Sequence, residues 1–527
     1  MQAYPNYNTN SQLDYTAEQL RLPLDLSVKI EKTDPMWTFL EVIREVNLNK
    51  YLKKHRGNQG HDNRMMMKTV LFAYMNQVYS LREMEEKCRT DIRFMYLSEE
   101  EKPSHEEEKP SHMAFQRFIN NQLKGNISDI FTEITEIICE KTGADTRILY
   151  LDGTMIEANA NKFTFVWKKT AEKSLKKSLA RVQEVIANIE KDTDLKYEYK
   201  ELTPDHLNGF AVKVLNHCAE KEIRFVYGKG KRKTSIQRSY DELRKHTAKI
   251  EECAEKIDIC GDDRNSYSKT DHDATFMHMK YDHYMNTGVF KPGYNIQLGE
   301  SDEYIRHIRV GNDRTDTRTF IPFMEGYQER YDELPGIIVA DAGYGSYDNY
   351  MWCLTHQTDA YIKYQLYEKE KTAEFRKQKY RKENLLHEEN GKLICPKGRE
   401  FVYKFDRVSK KTDYLCISQV WECKTCNRCP FRKSCTKSKG NRRVEINAAG
   451  DELREAARER LDSAAGKQLR EQRCIQAEGT FGIIKNDWNY VRLHRRGFEN
   501  VENEIYLVCI GFNLMKYHHK KMRKILS

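Results

Sequence analysis

Residues Ile148–Lys169 read ILYLDGTMIEANANKFTFVWKK, and the fold turns on this stretch. An apolar, β-prone run from Ile148 to Leu151 meets a lone carboxylate, Asp152, followed at once by Gly153. Apolar residues resume at Met155 and Ile156, which predicts a continuing strand or a hairpin. Taken alone, Asp152 reads as a turn aspartate before glycine. A second stretch, Gly336–Tyr344 (GIIVADAGY), repeats the pattern, with Asp341 after four apolar residues and Gly343 close behind. Two buried strands that each end on an aspartate are a way for a sheet to build a divalent-cation site.

The remaining segments supply the elements around these strands. Strands are predicted at Tyr294–Gly299, Tyr304–Val310 and Ala360–Tyr364, with a Lys291-Pro292-Gly293 turn before the first. Helices are predicted at Thr315–Tyr327 and Ser346–His356. Strands and helices in this order make a mixed α/β sheet carrying acids on its first and fourth strands. A third acid, Glu478, lies in QRCIQAEGTFGIIKNDWNY (472–490), where Ile475, Glu478, Phe481, Ile484 and Lys485 follow a helical period. Asp152, Asp341 and Glu478 would together supply the carboxylates of a two-metal site, and Lys485 shares the helix face of Glu478 and could meet a phosphate.

The N-terminal part reads as helical. Residues 1–35 form a polar lead-in, and 36–145 a helical domain. Pro35 opens a helix with Trp37, Leu40, Ile43 and Val46 at three- and four-residue spacing. A second helix covers Met65–Tyr79, and a third starts at Ser80. Short helices joined in this way resemble a helix-turn-helix, although such bundles also serve as interaction domains. Residues 99–112 repeat EEEKPSH twice, an acidic, proline-broken solvated loop. Helices resume at Met113–Gly125 and Ser128–Lys141.

Residues 168–265 interrupt the sheet. Leu175, Leu179, Val182, Ile186 and Ile189 form one stripe, and Leu243, His246, Ile250, Cys253 and Ile257 another, which predicts an antiparallel helical hairpin. Its basic face (Lys168, Lys169, Lys173, Lys176, Lys177, Arg181, and KGKRK at 229–233) suits a nucleic-acid backbone or a solvated surface equally. The glycine- and lysine-rich run at 228–234 lacks the spacing of a P-loop, so no ATP site is expected.

Residues 365–450 form a second interruption, rich in cysteine. Cys423, Cys426, Cys429 and Cys435 follow C-x2-C-x2-C-x5-C, with Cys395 and Cys416 upstream. Thiolates of Cys395 and this run are read as holding a structural Zn²⁺, with an iron–sulfur cluster as the alternative. Lys424, Arg428, Arg432, Lys433 and Lys437 flank them, as a DNA-facing knob would require.

Composition agrees with a globular chain that has polyanion partners. Hydrophobic residues make up 39% of 527, and the formal net charge is +9. The polar N-terminus has no signal-peptide pattern, no apolar run is long enough to span a membrane, and 14 cysteines without such a signal point to a reducing compartment.

Four stretches together resemble the DDE transposases of bacterial insertion sequences, of the IS-eleven-eighty-two-like group. They are KTVLFAYMNQVYSLREMEEKCRTDIRFMYL (68–97), LDGTMIEANANKFTFVWKK (151–169), VADAGYGSYDNY (339–350) and AEGTFGIIKNDWNYVRLHRRG (477–497), supported by DHDATFMHMK (271–280) and KPGYNIQ (291–297). The resemblance implies a ribonuclease H-like catalytic domain over 146–364 and 451–527. Asp152, Asp341 and Glu478 would be its catalytic triad, holding Mg²⁺ or Mn²⁺ for strand cleavage and strand transfer. It further implies double-stranded DNA as partner (terminal inverted repeats and target), a homodimer on that DNA, and a bacterial cytoplasmic, nucleoid-associated protein. Lys485, Arg473, Tyr344, Trp488, Arg495 and Arg496 are the DNA contacts expected from it, with Tyr344, Trp488 and Tyr490 as stacking or wedging rings. Relatives carry a Tyr-Arg-Glu-Lys signature about the glutamate. Lys485 fits its spacing, but Cys474 stands at the arginine position and Arg473 is one residue off. The alternative is a DNA-binding protein that kept this fold without catalysis.

Overall fold

The structure is a computed structural model that describes residues 26–52, 61–99, 109–279, 289–387 and 392–526. Most of the polar lead-in and of the EEEKPSH repeat lies outside the described residues. The chain divides into two compact units, Met1–Ile137 with Ile510–Ser527, and Ile138–Cys509. The last residues, 510–527, therefore fold with the N-terminal helices and not, as expected from sequence, with the sheet. Among the described residues no helix is long and apolar enough to cross a membrane.

In the first unit, Asp34 caps the helix Pro35–Ile43 by accepting from the Met36 amide at 2.8 Å, with Pro35 in the first turn. The helix Asn63–Met75 buries ten of its thirteen residues, as a helix surrounded by others must. Ser80 caps Leu81–Thr90 through the Glu83 amide, and the left-handed residue Gln77 (φ 63°) turns the chain between these two helices. Ser111 caps His112–Phe118, a π-turn at Ile119–Leu123 follows, and Ile127–Thr142 closes the series.

The second unit is built on a six-stranded mixed sheet: β1 (Ile148–Glu157), β2 (Thr275–Met279), β3 (Val289–Ser301), β4 (Tyr304–Gly311), β5 (Ile337–Gly345) and β6 (Asp359–Tyr364). The order is β2-β3-β1-β5-β6, with β4 also pairing β3. β1 runs antiparallel to β3 and parallel to β5. Alternate residues face opposite sides. Leu149, Leu151, Ile338, Ala340 and Tyr344 join the helices Phe320–Tyr331, Tyr347–Thr355 and Ala448–Asp462 in the main core, while Tyr150 and Val339 meet Leu469 on the other face. Each fully buried leucine here contributes roughly 1.5–3 kcal/mol.

Two local expectations change. Neither aspartate ends a strand: β1 continues five residues past Asp152, because Gly153–Glu157 pair with β3. Lys291-Pro292-Gly293 is strand rather than turn. Its residues pair with β2, and Lys291 is held by a buried 2.7 Å ion pair to Glu157 on β1.

The insertion at 168–265 is a three-helix bundle, not a hairpin. Between Lys168–Asp192 and Ser235–Cys260 lies a third helix, Pro204–Glu220, whose Leu207, Phe210, Ala211 and Val214 fill the seam with Val182, Ile186 and Leu243. Its weaker apolar period within a polar segment hid it. The cysteine-rich region holds a three-stranded antiparallel sheet, Phe401–Val408, Ile417–Cys423 and Arg443–Ile446.

Candidate active site

The parallel ladder between β1 and β5 pairs Ile148 with Ile337 through Leu151 with Ala340, and then stops. Asp152 and Asp341 are the next residue on each strand. They stand side by side where the strands part, on the face covered by the Leu469 helix. A crevice at the carboxyl ends of diverging parallel strands is where open α/β sheets bind ligands. The Asp341 carboxylate accepts from the Gly343 amide at 2.7 Å, and that of Asp152 from the Gly153 amide at 2.9 Å.

The Leu469 helix carries the third acid. Ala464–Arg473 passes into a π-turn at Cys474–Glu478, one α-turn at Gly479–Gly482, and a second π-turn at Ile483–Asp487. In a π-turn a residue faces its neighbour five positions on. Arg473 thus reaches Glu478 at 2.6 Å, and it also lies 3.5 Å from Asp152. The offset of one residue against the Tyr-Arg-Glu-Lys spacing is absorbed by the wide turn. The guanidinium is 11% exposed and joins two of the three acids. Charge-assisted pairing of this kind is stronger than a neutral hydrogen bond. Lys485 follows in the second π-turn, and its ammonium binds the Thr154 hydroxyl and, at 3.0 Å, the Met155 carbonyl on β1.

Several neighbours were not legible in sequence. Asp316 leads the short helical turn before Phe320 and accepts at 2.9 Å from the side-chain amides of both Asn295 and Gln297 on β3. Gln297 also accepts the Tyr344 hydroxyl. Burial, then the charges of Asp316, Asp152 and Asp341, keep that phenol far above its ordinary range. Asn295 and Gln297 stand inside KPGYNIQ and Tyr344 inside VADAGYGSYDNY, but no quoted motif contains Asp316, and its proximity to them arises only when β3 pairs with β1.

Three expected stacking residues are corrected. Tyr344 is fully buried with its hydroxyl bonded, and Trp488 (8% exposed) and Tyr490 (1%) also pack inside. Apolar burial claims these rings, so none presents a face to a base. Arg495 and Arg496 lie beyond the second π-turn, and the Arg496 side chain donates to the Asn159 carbonyl just past β1.

Among the described residues no three His, Cys, Asp or Glu side chains are gathered as a metal-binding group. The donors nonetheless suit a hard divalent cation: paired aspartates on one sheet face, with a glutamate linked to one of them through a single arginine. In the cysteine-rich region Cys395, Cys423 and Cys426 share a small apolar cluster. The Arg399 amide approaches the Cys395 sulfur at 3.4 Å and the Arg442 amide that of Cys426 at 3.3 Å. Burial, together with the neighbouring Cys395 and Cys426, pushes the Cys423 thiol up to about 12. Cys435 stands apart, accepting from the Arg442 guanidinium at 3.1 Å, and Cys429 is half-buried.

Two family models match the chain: "Transposase domain (DUF772)" over residues 24–121 and "Transposase DDE domain" over 394–518. The second contains Glu478 and Lys485, and Asp152 and Asp341 lie between the two matches. No curated protein and no solved structure matches the chain. The two family matches, at opposite ends of the chain, support a DDE-type transposase of an insertion sequence.

Proposed function

We propose that the chain is a metal-dependent transposase that cleaves and rejoins DNA at the ends of its element, with a ribonuclease H-like sheet as catalytic platform. The observation that carries this reading is the placement of Asp152 and Asp341 side by side at the parting of β1 and β5, under the helix that bears Glu478.

In this reading Asp152, Asp341 and Glu478 hold Mg²⁺ or Mn²⁺. A bound divalent pair lowers the pKa of a water or a DNA 3′-hydroxyl and stabilises the leaving oxygen of the phosphodiester. The chain's own residues prepare that chemistry. The sheet fixes the aspartates through buried ladder neighbours. Arg473 offsets the charge of Asp152 and Glu478, and would be placed to meet a phosphate bound beside them. Lys485, Arg495 and Arg496, strung along the far end of β1, bind the backbone of the double-stranded end. The N-terminal helices bind DNA, and the cysteine sheet is a zinc-stapled knob with Cys395, Cys423 and Cys426 in the thiolate set.

A second reading, a DNA-binding protein without catalysis, draws on one observation: Arg473 ties Asp152 to Glu478. The deciding experiment is Mg²⁺-dependent cleavage of DNA carrying the flanking inverted repeat by wild type and Asp341→Asn. End-specific nicking lost in the variant supports the transposase. Equal binding without nicking by either protein supports the second reading.

A further inference from the structure

Beyond the three acids, one more carboxylate enters the crevice. A Cβ placed on Gly153 would come within 2.8 Å of Asp316 Oδ1. One placed on Gly343 would lie 2.9 Å from Asp341 Oδ1 and 3.4 Å from Asp316 Oδ2. The Asp316 carboxylate therefore lies in the gap between β1 and β5 just past Asp152 and Asp341, against Gly153, one residue past Asp152, and Gly343, two past Asp341. Those glycines leave the room it uses. Its Oδ1 takes both amide donors from Asn295 and Gln297, and its Oδ2, on the Gly343 side, has no hydrogen-bond partner among the described residues. The backbone around it is fixed: Thr319 donates to the Asp316 carbonyl, Thr317 to the Gly343 carbonyl, and Asn349 to the Thr317 carbonyl.

We propose that Asp316 is a fourth acidic residue of the divalent-cation site, a positioning residue whose free oxygen and charge act together with Asp152 and Asp341. The proposal rests on the reading of those aspartates as metal ligands. A purely structural Asp316 would need only a hydrogen-bond acceptor for the two amides. An anion beside a bound cation would add attraction that water screens incompletely. Two amide donors fix Oδ1 and leave Oδ2 unbonded.

Asp316→Asn separates these roles, since its carbonyl still accepts from Asn295 and Gln297 while the charge is gone. Mn²⁺ binding to the full chain is measured by calorimetry for wild type, Asp316→Asn, Asp316→Glu and Asp341→Asn, with the melting temperature of each. The expected result is Mn²⁺ affinity about tenfold weaker in Asp316→Asn at near-native melting temperature, and recovery to within about threefold in Asp316→Glu. Native affinity in Asp316→Asn, alongside weakened binding in Asp341→Asn, overturns the role of Asp316 alone. Native affinity in Asp341→Asn overturns the reading of the site itself. If Asp316→Asn does not fold, Asp316→Ser replaces it, and native affinity there likewise overturns the proposal.

Discussion

The sheet that carries Asp152 and Asp341 buries eighteen residues in one apolar cluster, whereas the cysteine-bearing sheet gathers seven, three of them cysteines. The strands differ accordingly. β1 buries six of its ten residues, while Phe401–Val408 buries its first residue and exposes the other seven. A core of the first size holds its strands by packing alone. One of the second size falls where small domains call on cross-links or metals. The main sheet can therefore place charged groups in its crevice and stay folded, while the small sheet has few apolar side chains to hold it.

Substitutions can break or sharpen this contrast. Asp341→Asn is expected to lower end cleavage by about a thousandfold with the melting temperature nearly unchanged, because it removes a metal ligand but no packing. A comparable loss of stability would show that the aspartate serves the fold. Leu151→Ala, one residue before Asp152 and fully buried, should cost about 2–5 kcal/mol of global stability in denaturant unfolding. Cys423→Ala should act locally, by about 2 kcal/mol, seen as faster proteolysis confined to the cysteine-rich region. Global unfolding with Cys423→Ala would erase the contrast. Zinc uptake should strengthen steadily as pH rises, with no plateau below about pH 12, since the raised thiol must lose its proton to bind metal. The smallest effect is expected for Arg443→Ala. It breaks the exposed cross-strand pair with Glu422 at 2.6 Å and should leave the denaturant midpoint almost unchanged.

The elements themselves were largely legible. Ser80, Ser111 and Ser346 mark helix starts through side-chain caps, and the apolar runs at Ile148–Leu151 and Ile337–Ala340 mark the parallel pair. What failed was non-local. The carboxylate of Asp152 looked like a strand end because a charge inside a buried strand costs free energy, and Arg473, which offsets that cost, lies 321 positions away in the chain. Pro292 looked like a turn because a proline within a strand usually signals an edge. The helix Pro204–Glu220 has a mixed apolar face that gains meaning only beside its two partners. Asp316 carries no signature of its own, since its role depends on two glycines and two amides from three other segments.

The two wide turns around Glu478 bear on how such chains change over time. Each π-turn takes up one residue more than an α-turn, so the helix from Ala464 to Asp487 stores slack in its length. A single-residue insertion or deletion at Cys474–Glu478 can be absorbed by tightening or loosening a turn, leaving the basic group opposite the same acid. Lineages can then drift in motif spacing while keeping one arrangement in space.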